Sequence, residues 1–464
     1  MVVFVTDCAS PSPARVIRPV IAAPRTEPAP APPTPPPAPP VATTLVVPEA
    51  PPDPHARLAS LTEPGLNLVL ITVDTLRWDL HYAGYPAEIS PNLDRLAERS
   101  VVFERGYAMS SYTGRSVGPL LTGRYPTECP NDNSHFTRYH ADNVMLADRL
   151  RDAGFVTLGA SAHHYFRRSH GLPQGVDHWD MSAHPPDDTN GHVVDDVVTD
   201  NAIALLREHA RGGQRFYLWV HYIDPHDGYL WHPDQPSFPR GPRHRYDGEV
   251  YFTDAQIGRL LAAVASLPHG ARTAVVVTAD HGELFREHGI SHHGRELWEN
   301  LVRVPWIVHV PGLAPRRVST RRSHIDMVPT LLEILRVAPH EGLQGQSLAA
   351  DLVGEDSPAR PVLMDLPQGP QNTPRRALIE GDWKLIVHRG HRELYDLAHD
   401  PDELEDRSRS APEELRRLSS TLQALTRDFQ GEWHRGEYHA HHRAQPQPRR
   451  PHRHRRHRRH HRDD

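Results

Sequence analysis

The chain is poor in the residues that would build a disulfide scaffold or a membrane span. Its 464 residues include only two cysteines, Cys8 and Cys129, which are far apart and form no Cys-x-x-Cys pair. This scarcity disfavours both a disulfide framework and a cysteine zinc site. No apolar run approaches the roughly 18 residues that a bilayer-spanning helix needs, so we expect no transmembrane segment.

Apolar residues are also scarce, at 38%, and the deficit is concentrated at the two ends. Residues 24–54 are dominated by proline and alanine, a composition that favours polyproline II and cannot bury a core. We expect residues 1–62 to be disordered, as a semi-rigid spacer or as an unselected extension. We also expect disorder over the His/Arg-rich residues 433–464, which either contact anionic surfaces, hold metal loosely or have no role.

The start of the chain leaves its location in the cell open. The apolar stretch at residues 1–5 lacks a charged flank and is too short for a signal peptide. Cys8 would carry a lipid anchor only if the true start lay upstream, and Asp7 suits a lipoprotein cleavage site poorly. A cell-envelope or periplasmic location is one hypothesis. The net charge of -6 argues neither for nor against an anionic partner, and we expect no specific nucleic-acid partner.

Residues 63–371 alternate strand-like and helix-like segments, which predicts an α/β fold. Four continuous apolar runs are typical of strands buried on both faces, at 68–73, 216–220, 274–278 and 306–310. Such alternation favours a largely parallel sheet sandwiched by helices. Residues 372–432 instead predict a small C-terminal α+β subdomain. It has short antiparallel strands within 377–387 and 393–397, and a helix from Pro412.

Local signals predict where several helices begin and end. Ser90 and Pro91 favour a helix start, and Pro329 opens another predicted helix. The Thr253–Gln256 pattern is that of a capping box ahead of an apolar helical stripe. The pair Gly118-Pro119 predicts a break in the helix that contains it.

Acidic residues follow two of the predicted buried strands. Asp74 comes directly after the first strand, and Asp280 follows the run at 274–278. Because the carboxyl ends of parallel strands line one crevice, we expect both side chains to enter the same cleft. Buried carboxylates need a cation or hydrogen-bond donors to stay ionised, and two that converge on one point favour a divalent metal site.

Seven short motifs together resemble those of the sulfatase family, within the alkaline phosphatase superfamily. The most informative is SYTGRSVGPLLTGRYP, from Ser111 to Pro126, which resembles the signature that carries the family's formylglycine nucleophile. The others occur in family order over roughly residues 66 to 400: TVDTLR, SPNLDRL, HYIDPH, DHGE, HG with RVP, and GLQGQSL. Counting back from the intact LLTG close places Thr113 at the nucleophile position.

The resemblance implies roles for particular residues. Asp74, Asp280 and His281 match the metal ligands, and the Thr113 hydroxyl completes the set. His226 matches a histidine that contacts the sulfate or phosphate group. Further cationic substrate contacts are implied at His293 or Arg295.

The sequence also departs from the family pattern. Thr113 cannot become formylglycine, so we expect none. Thr75 stands where many sulfatases have a second aspartate, which together with a histidine ligand tilts the metal from Ca²⁺ toward Mn²⁺ or Zn²⁺, with Mg²⁺ left open. Arg115 and Val117 replace the signature's proline and arginine, and we hypothesise that the Arg115 guanidinium assists catalysis. The family's Lys-x-His landmark is not evident. Either His163 or His164 replaces it, or both are surface histidines.

The prediction that follows is a sulfatase-like, metal-dependent hydrolase of sulfate or phosphate esters with Thr113 as an unmodified nucleophile. Its substrate would be a small-molecule, glycan or lipid ester. One alternative is a phosphotransferase that moves a headgroup to a glycan or lipid acceptor. The other is a degenerate, non-catalytic binding protein of the same fold.

Overall fold

A computed structural model describes residues 53–430, apart from 188–190, 211, 234, 239, 242, 356 and 371. The predictions for Cys8, for most of residues 1–62 and for the tail at 433–464 lie outside this range. Part of the segment expected to be disordered is instead helical, at Pro54–Leu61. This helix forms because Asp53 caps its first turn and Leu58 is buried against the main body.

The strands, numbered in chain order, are β1 (Asn67–Val73), β2 (Val101–Phe103), β3 (Gly106–Tyr107), β4 (Val156–Ser161), β5 (His178–Asp180), β6 (Phe216–Tyr222), β7 (Thr273–Ala279), β8 (Arg303–Val304), β9 (Trp306–His309), β10 (Arg316–Val318), β11 (Arg322–Ser323), β12 (Val362–Leu366), β13 (Arg375–Glu380), β14 (Trp383–His388) and β15 (His391–Asp396). The α-helices are α1 (Pro54–Leu61), α2 (Pro91–Ala97), α3 (Thr113–Thr122), α4 (Leu146–Asp152), α5 (Asp195–His209), α6 (His244–Ala265), α7 (Glu299–Val302), α8 (Met327–Ile334), α9 (Ala349–Val353) and α10 (Pro412–Leu425). Among these helices, none is both long enough and apolar enough to cross a bilayer.

The central sheet has eight strands in the order β10-β2-β9-β7-β1-β6-β4-β5. Its strands pair in parallel except where β9 lies antiparallel to β2 and β7. Every residue of β1, β6 and β7 is buried, because helices cover both faces of the sheet. In β1, Leu68 and Leu70 enter one apolar core while Val69 and Ile71 enter the other. The predicted α/β architecture is therefore confirmed.

The C-terminal strands β12 to β15 form a separate antiparallel sheet in chain order. One face packs on α10 through leucines that include Leu378, Leu385 and Leu418. The other face packs on the main body through residues such as Met364 and Ile386. The predicted small C-terminal α+β subdomain is thus present, and β12, which precedes residue 372, is part of its sheet.

Two helix predictions are wrong. Thr253 does not begin a helix but lies inside α6, which starts at His244. Its hydroxyl donates instead to Asp195 Oδ2 at 2.6 Å, a partner that is remote in sequence. Pro119 does not break α3, which runs on to Thr122. All ten residues of α3 are buried, and this packing outweighs the hydrogen bond that proline removes.

The other two predicted helix starts, those of α2 and α8, lie close to their predicted positions. The helix predicted at Ser90 and Pro91 is present as α2, with Pro91 as its first residue. Pro329 is the third residue of α8, which begins at Met327. In α3, Gly118 accommodates a close approach, since a Cβ there would lie 2.1 Å from the Tyr139 ring.

Lys384 is a buried cation whose removal should destabilise the C-terminal sheet. Its ammonium lies 3.1 Å from Glu299 Oε1 and 2.9 Å from Glu403 Oε1, and its side chain is fully buried. Substitution by methionine leaves two buried carboxylates without their cation. We therefore expect Lys384→Met to lower the free energy of unfolding by about 3–5 kcal/mol in urea denaturation. The exposed Arg392→Met, on the neighbouring strand, is the control and should change it by less than about 0.5 kcal/mol.

Candidate active site

The two strand-end carboxylates lie side by side. Strands β1 and β7 pair in parallel with Val73 opposite Ala279, so the residues that follow them, Asp74 and Asp280, leave the sheet at the same level. Both are fully buried. The predicted convergence of two carboxylates on one cleft is therefore present.

These carboxylates keep unsatisfied oxygens. Asp280 Oδ1 accepts hydrogen bonds from the backbone N–H groups of Thr75, at 3.3 Å, and His281, at 2.9 Å. Asp74 Oδ1 and Asp280 Oδ2 are buried with no hydrogen-bond partner among the described residues. Burial and the charge of Asp74 raise the pKa of Asp280 to about 7. Burial also opposes ionisation of Asp74, but nearby histidines, His226 first, hold its pKa well below its usual value.

His281 supplies a nitrogen to the same cluster. Its Nε2 lies 3.4 Å from Asp280 Oδ2 and 3.8 Å from Asp74 Oδ1. Its Nδ1 lies 3.0 Å from the Gly282 carbonyl oxygen, which can only accept a hydrogen bond. Nδ1 therefore carries the proton, and the Nε2 lone pair faces the carboxylates. Burial lowers the pKa of His281, which favours the same neutral form.

Asp74, Asp280 and His281 fit a divalent metal ion. One ligand atom from each lies within 4.8 Å of the others, and all three residues are buried. Two unpaired carboxylate oxygens would be costly to bury without a cation, and the Nε2 lone pair of His281 faces them. The donor set agrees with the sequence expectation, and the identity of the metal stays a prediction.

The Thr113 hydroxyl adjoins this cluster. Thr113 is the first residue of α3, and its Oγ1 lies 3.1 Å from His281 Nε2 and 3.3 Å from Asp74 Oδ2. The amino end of a helix carries a partial positive charge, which favours an anion beside it. The structure therefore brings together all four residues that were predicted to form the metal site.

A cavity of about 360 Å³ opens onto Thr113. The predicted substrate contacts His226, His293 and Arg295 all line it, and so do His163 and His164. Burial lowers the pKa of His226, and it lowers that of His163 well below the usual value.

Arg115 lies apart from the predicted contacts. Its guanidinium donates to Asn131 Oδ1 at 2.5 Å and also to Asn133. It is not among the described residues that line the cavity. Its catalytic role therefore stays a prediction, and the geometry gives it a place in holding the 131–133 loop.

Thr75, which stands where the resemblance implies a second aspartate, is tied to the backbone. Its hydroxyl donates to the Pro225 carbonyl at 2.9 Å and to the Asp74 carbonyl at 2.7 Å. Its φ of 56° is strained for a β-branched residue. The side chain therefore fixes the turn after β1 rather than adding a charge to the metal cluster.

Sequence reasoning gave no role to two residues of the site. His221 is fully buried in β6, and its Nε2 lies 3.6 Å from Asp74 Oδ2 with no hydrogen-bond partner among the described residues. The available signal was a histidine inside an otherwise apolar and aromatic strand. Glu283 is also fully buried and lies 3.2 Å from His293 Nδ1. Burial alone would lower the pKa of His293, but Glu283, with help from Asp74 and Asp280, raises it to about 9.

The fold and the site together define a hydrolase of the alkaline phosphatase superfamily. Within it, the chain belongs to the sulfatase family of sulfuric ester hydrolases. Residues 66–337 match the family model described as Sulfatase. Residues 286–432 match the model of the C-terminal region of N-sulphoglucosamine sulphohydrolase.

Individual relatives have low sequence identity to this chain, but the alignments cover most of both proteins. The chain is 25% identical to the uncharacterized sulfatase YidJ of Escherichia coli, over 73% of this chain and 82% of that protein. It is 24% identical to a choline-sulfatase of Rhizobium meliloti, over 73% and 81%. The phosphonate monoester hydrolase of Agrobacterium radiobacter has the same fold, with a TM-score of 0.65 and 20% identity over 78% of this chain and 95% of that one. A 2-O GAG sulfatase superposes with a TM-score of 0.68 and 21% identity over 78% and 92%.

Proposed function

We propose that the protein hydrolyses a sulfate or phosphate ester with the unmodified Thr113 hydroxyl as nucleophile. The observation that carries this proposal is the position of Thr113, which lines the cavity with its Oγ1 3.1 Å from His281 Nε2 and 3.3 Å from Asp74 Oδ2. Thr113 occupies the position at which the family signature has its nucleophile. Because threonine cannot be converted to formylglycine, its hydroxyl would have to act unmodified.

The residues that would hold the metal are Asp74, Asp280 and His281, with Thr113 completing the set. A bound divalent cation would favour the alkoxide form of the hydroxyl and offset charge on the ester oxygens. Because one donor is an imidazole, Mn²⁺ or Zn²⁺ suits the site better than Ca²⁺ or Mg²⁺.

Thr113 Oγ attacks sulfur or phosphorus in line and forms a threonine ester as the bond to the leaving alcohol breaks. Cationic side chains in the cavity, His293 foremost, offset the charge that develops on the anion. Water then attacks the same sulfur or phosphorus and releases threonine. A formylglycine enzyme instead releases its product by collapse of a hemiacetal, which Thr113 does not permit. This difference favours phosphoryl over sulfuryl substrates.

Aromatic rings beside Thr113 bear on the organic group of the substrate. Tyr112, Phe136 and Tyr165 all line the cavity. The Tyr165 ring centroid lies 5.9 Å from that of Tyr112 and 5.1 Å from that of Phe136. Such a wall suits an aryl or sugar ring, which would pack on it as the ester group faces Thr113.

The test is a panel of aryl sulfates, phosphate monoesters and phosphate diesters, assayed with Mn²⁺, Zn²⁺, Mg²⁺ and Ca²⁺. We expect turnover of at least one ester class with Mn²⁺ or Zn²⁺ and loss of that turnover after chelation. Added acceptor alcohols distinguish hydrolysis from group transfer, since a phosphotransferase would give the acceptor ester as its main product. Absence of turnover across the whole panel would argue for the non-catalytic alternative.

The charge of His293 should set an alkaline limit to activity. Its pKa is about 9 without metal, and a cation held by Asp74 and Asp280 would offset their part of the rise. The imidazolium is lost above its pKa, so kcat/KM should fall as the pH rises through a value at or below about 9. We expect His293→Gln to lower kcat/KM by about 10²-fold and to remove this limb from the pH profile. Glu283→Gln removes the carboxylate that raises the pKa and should move the limb to lower pH. An unchanged limb in His293→Gln would show that another group titrates there.

A further inference from the structure

A second cluster of potential metal ligands lies in the C-terminal sheet, on the hairpin formed by β14 and β15. The turn consists of Arg389 and Gly390, with φ values of 46° and 80°. Positive φ at both positions is typical of a tight two-residue turn that keeps the strands in register. His388 and His391 are consequently paired directly opposite each other.

Three ligand-bearing side chains share one face of this hairpin. Paired residues project to the same face of a sheet, and residues two apart on one strand do as well, so Glu393 joins His388 and His391. One ligand atom of each lies within 4.8 Å of the others. Glu393 Oε1 lies 3.2 Å from His388 Nε2 and 3.7 Å from His391 Nε2.

The contact between His388 and Glu393 is within hydrogen-bonding distance, but the three separations together also fit a coordination site. The distance of 3.7 Å between His391 and Glu393 is too long for a hydrogen bond. Ligand atoms about 2.0–2.1 Å from a tetrahedral zinc ion are separated by about 3.3–3.4 Å. The carboxylate is also held by its other oxygen, since the Tyr395 hydroxyl donates to Glu393 Oε2 at 3.0 Å. An outer hydrogen bond of this kind orients a metal-binding carboxylate.

We propose that His388, His391 and Glu393 bind a zinc ion that joins the two strands of the hairpin. Two imidazole nitrogens and one carboxylate oxygen suit Zn²⁺ and discriminate against Mg²⁺. The side chain of His391 is 61% exposed, so the ion has an open path and keeps one position for water. This site is separate from the buried Asp74 cluster and stabilises β15, the edge strand of its sheet.

Hydrogen–deuterium exchange of the full-length protein, followed by mass spectrometry of hairpin peptides, tests the proposal. Total zinc content is not decisive, because the His-rich tail also offers ligands. A local readout avoids this difficulty. Amides of β14 and β15 exchange when the two strands separate, and bound zinc should oppose that separation. At a zinc concentration ten times the dissociation constant of this site, their exchange should slow about tenfold. Magnesium should leave it unchanged.

Variants of the hairpin complete the experiment. His388→Gln/His391→Gln should abolish the protection by zinc. His399→Gln, which alters an exposed histidine of the same subdomain outside the cluster, should retain it. If the double variant fails to fold, His391→Gln alone serves, since that side chain is largely exposed. Equal protection in the wild type and in these cluster variants, or no protection in the wild type, would overturn the proposal.

Discussion

Replacing Thr113 by alanine is expected to abolish turnover of every ester that the protein hydrolyses, with kcat reduced by about 10⁴-fold or more. The substitution removes the hydroxyl that lies 3.1 Å from His281 Nε2, and no covalent threonine ester can then form. Thr113→Ser restores a hydroxyl at the same position and should keep measurable turnover. Steady-state kinetics on the best ester of the substrate panel, with saturating metal, gives the comparison.

A matched control lies on the same helix. Thr122→Ala also removes a buried threonine hydroxyl from α3, at the opposite end from the cavity. Its hydroxyl makes two long contacts of 3.3 Å, to the Pro119 carbonyl oxygen and to Cys129 Sγ, and neither partner lies among the residues of the site, so activity should be retained. If Thr113→Ala kept wild-type, metal-dependent turnover, direct attack by water would replace the covalent route. A non-catalytic protein would show no ester turnover that Thr113→Ala could change.

The strands were predictable because burial on both faces leaves a mark in the sequence. The run at 68–73 matches β1 almost residue for residue, as every position must be apolar or hydrogen-bonded inside the sheet. The start of α6 was not predictable in the same way. Thr253 has the local pattern of a cap, but the partner of its hydroxyl is Asp195, which only the folded chain brings near. Local sequence cannot distinguish these two uses of a threonine.

In the active site, too, some positions could be predicted from local sequence and others depend on the folded chain. Asp74 and Asp280 could be placed from sequence because each follows a buried strand, and parallel strands present such ends together. His221 could not, since its alignment with Asp74 depends on the pairing of β1 with β6. The position of the Arg115 guanidinium depends on a loop, at 131–133, that has no periodic pattern. The two strand-end carboxylates could therefore be placed from the residues alone, whereas the position of His221 and the contacts of Arg115 could not. The cavity residues His226, His293 and Arg295 were found through the resemblance to the family.

Asp280→Asn is expected to abolish metal-dependent turnover and to change stability in opposite directions with and without metal. Turnover should fall by about 10³-fold or more, because the variant loses one of the two carboxylates that hold the cation. With metal present, the wild type gains binding free energy that the variant lacks, so the variant should be less stable. Without metal, removal of a buried charge beside Asp74 should make the variant more stable than the wild type.

The pH dependence of stability tests the metal-free half of this prediction. The folded pKa of Asp280, about 7, lies above the unfolded value of about 3.9. Between these values the folded state binds a proton that the unfolded state has released. The contribution of Asp280 to the free energy of unfolding of the metal-free wild type should therefore fall as the pH rises from 4 to 7, by about a few kcal/mol. Urea denaturation at pH 5 and pH 8 with chelator should show a more strongly negative slope in the wild type than in Asp280→Asn, and the same measurement with metal should remove this difference. A variant destabilised equally under all four conditions would mean that Asp280 acts through packing, because a metal ligand must change its contribution when the cation is removed.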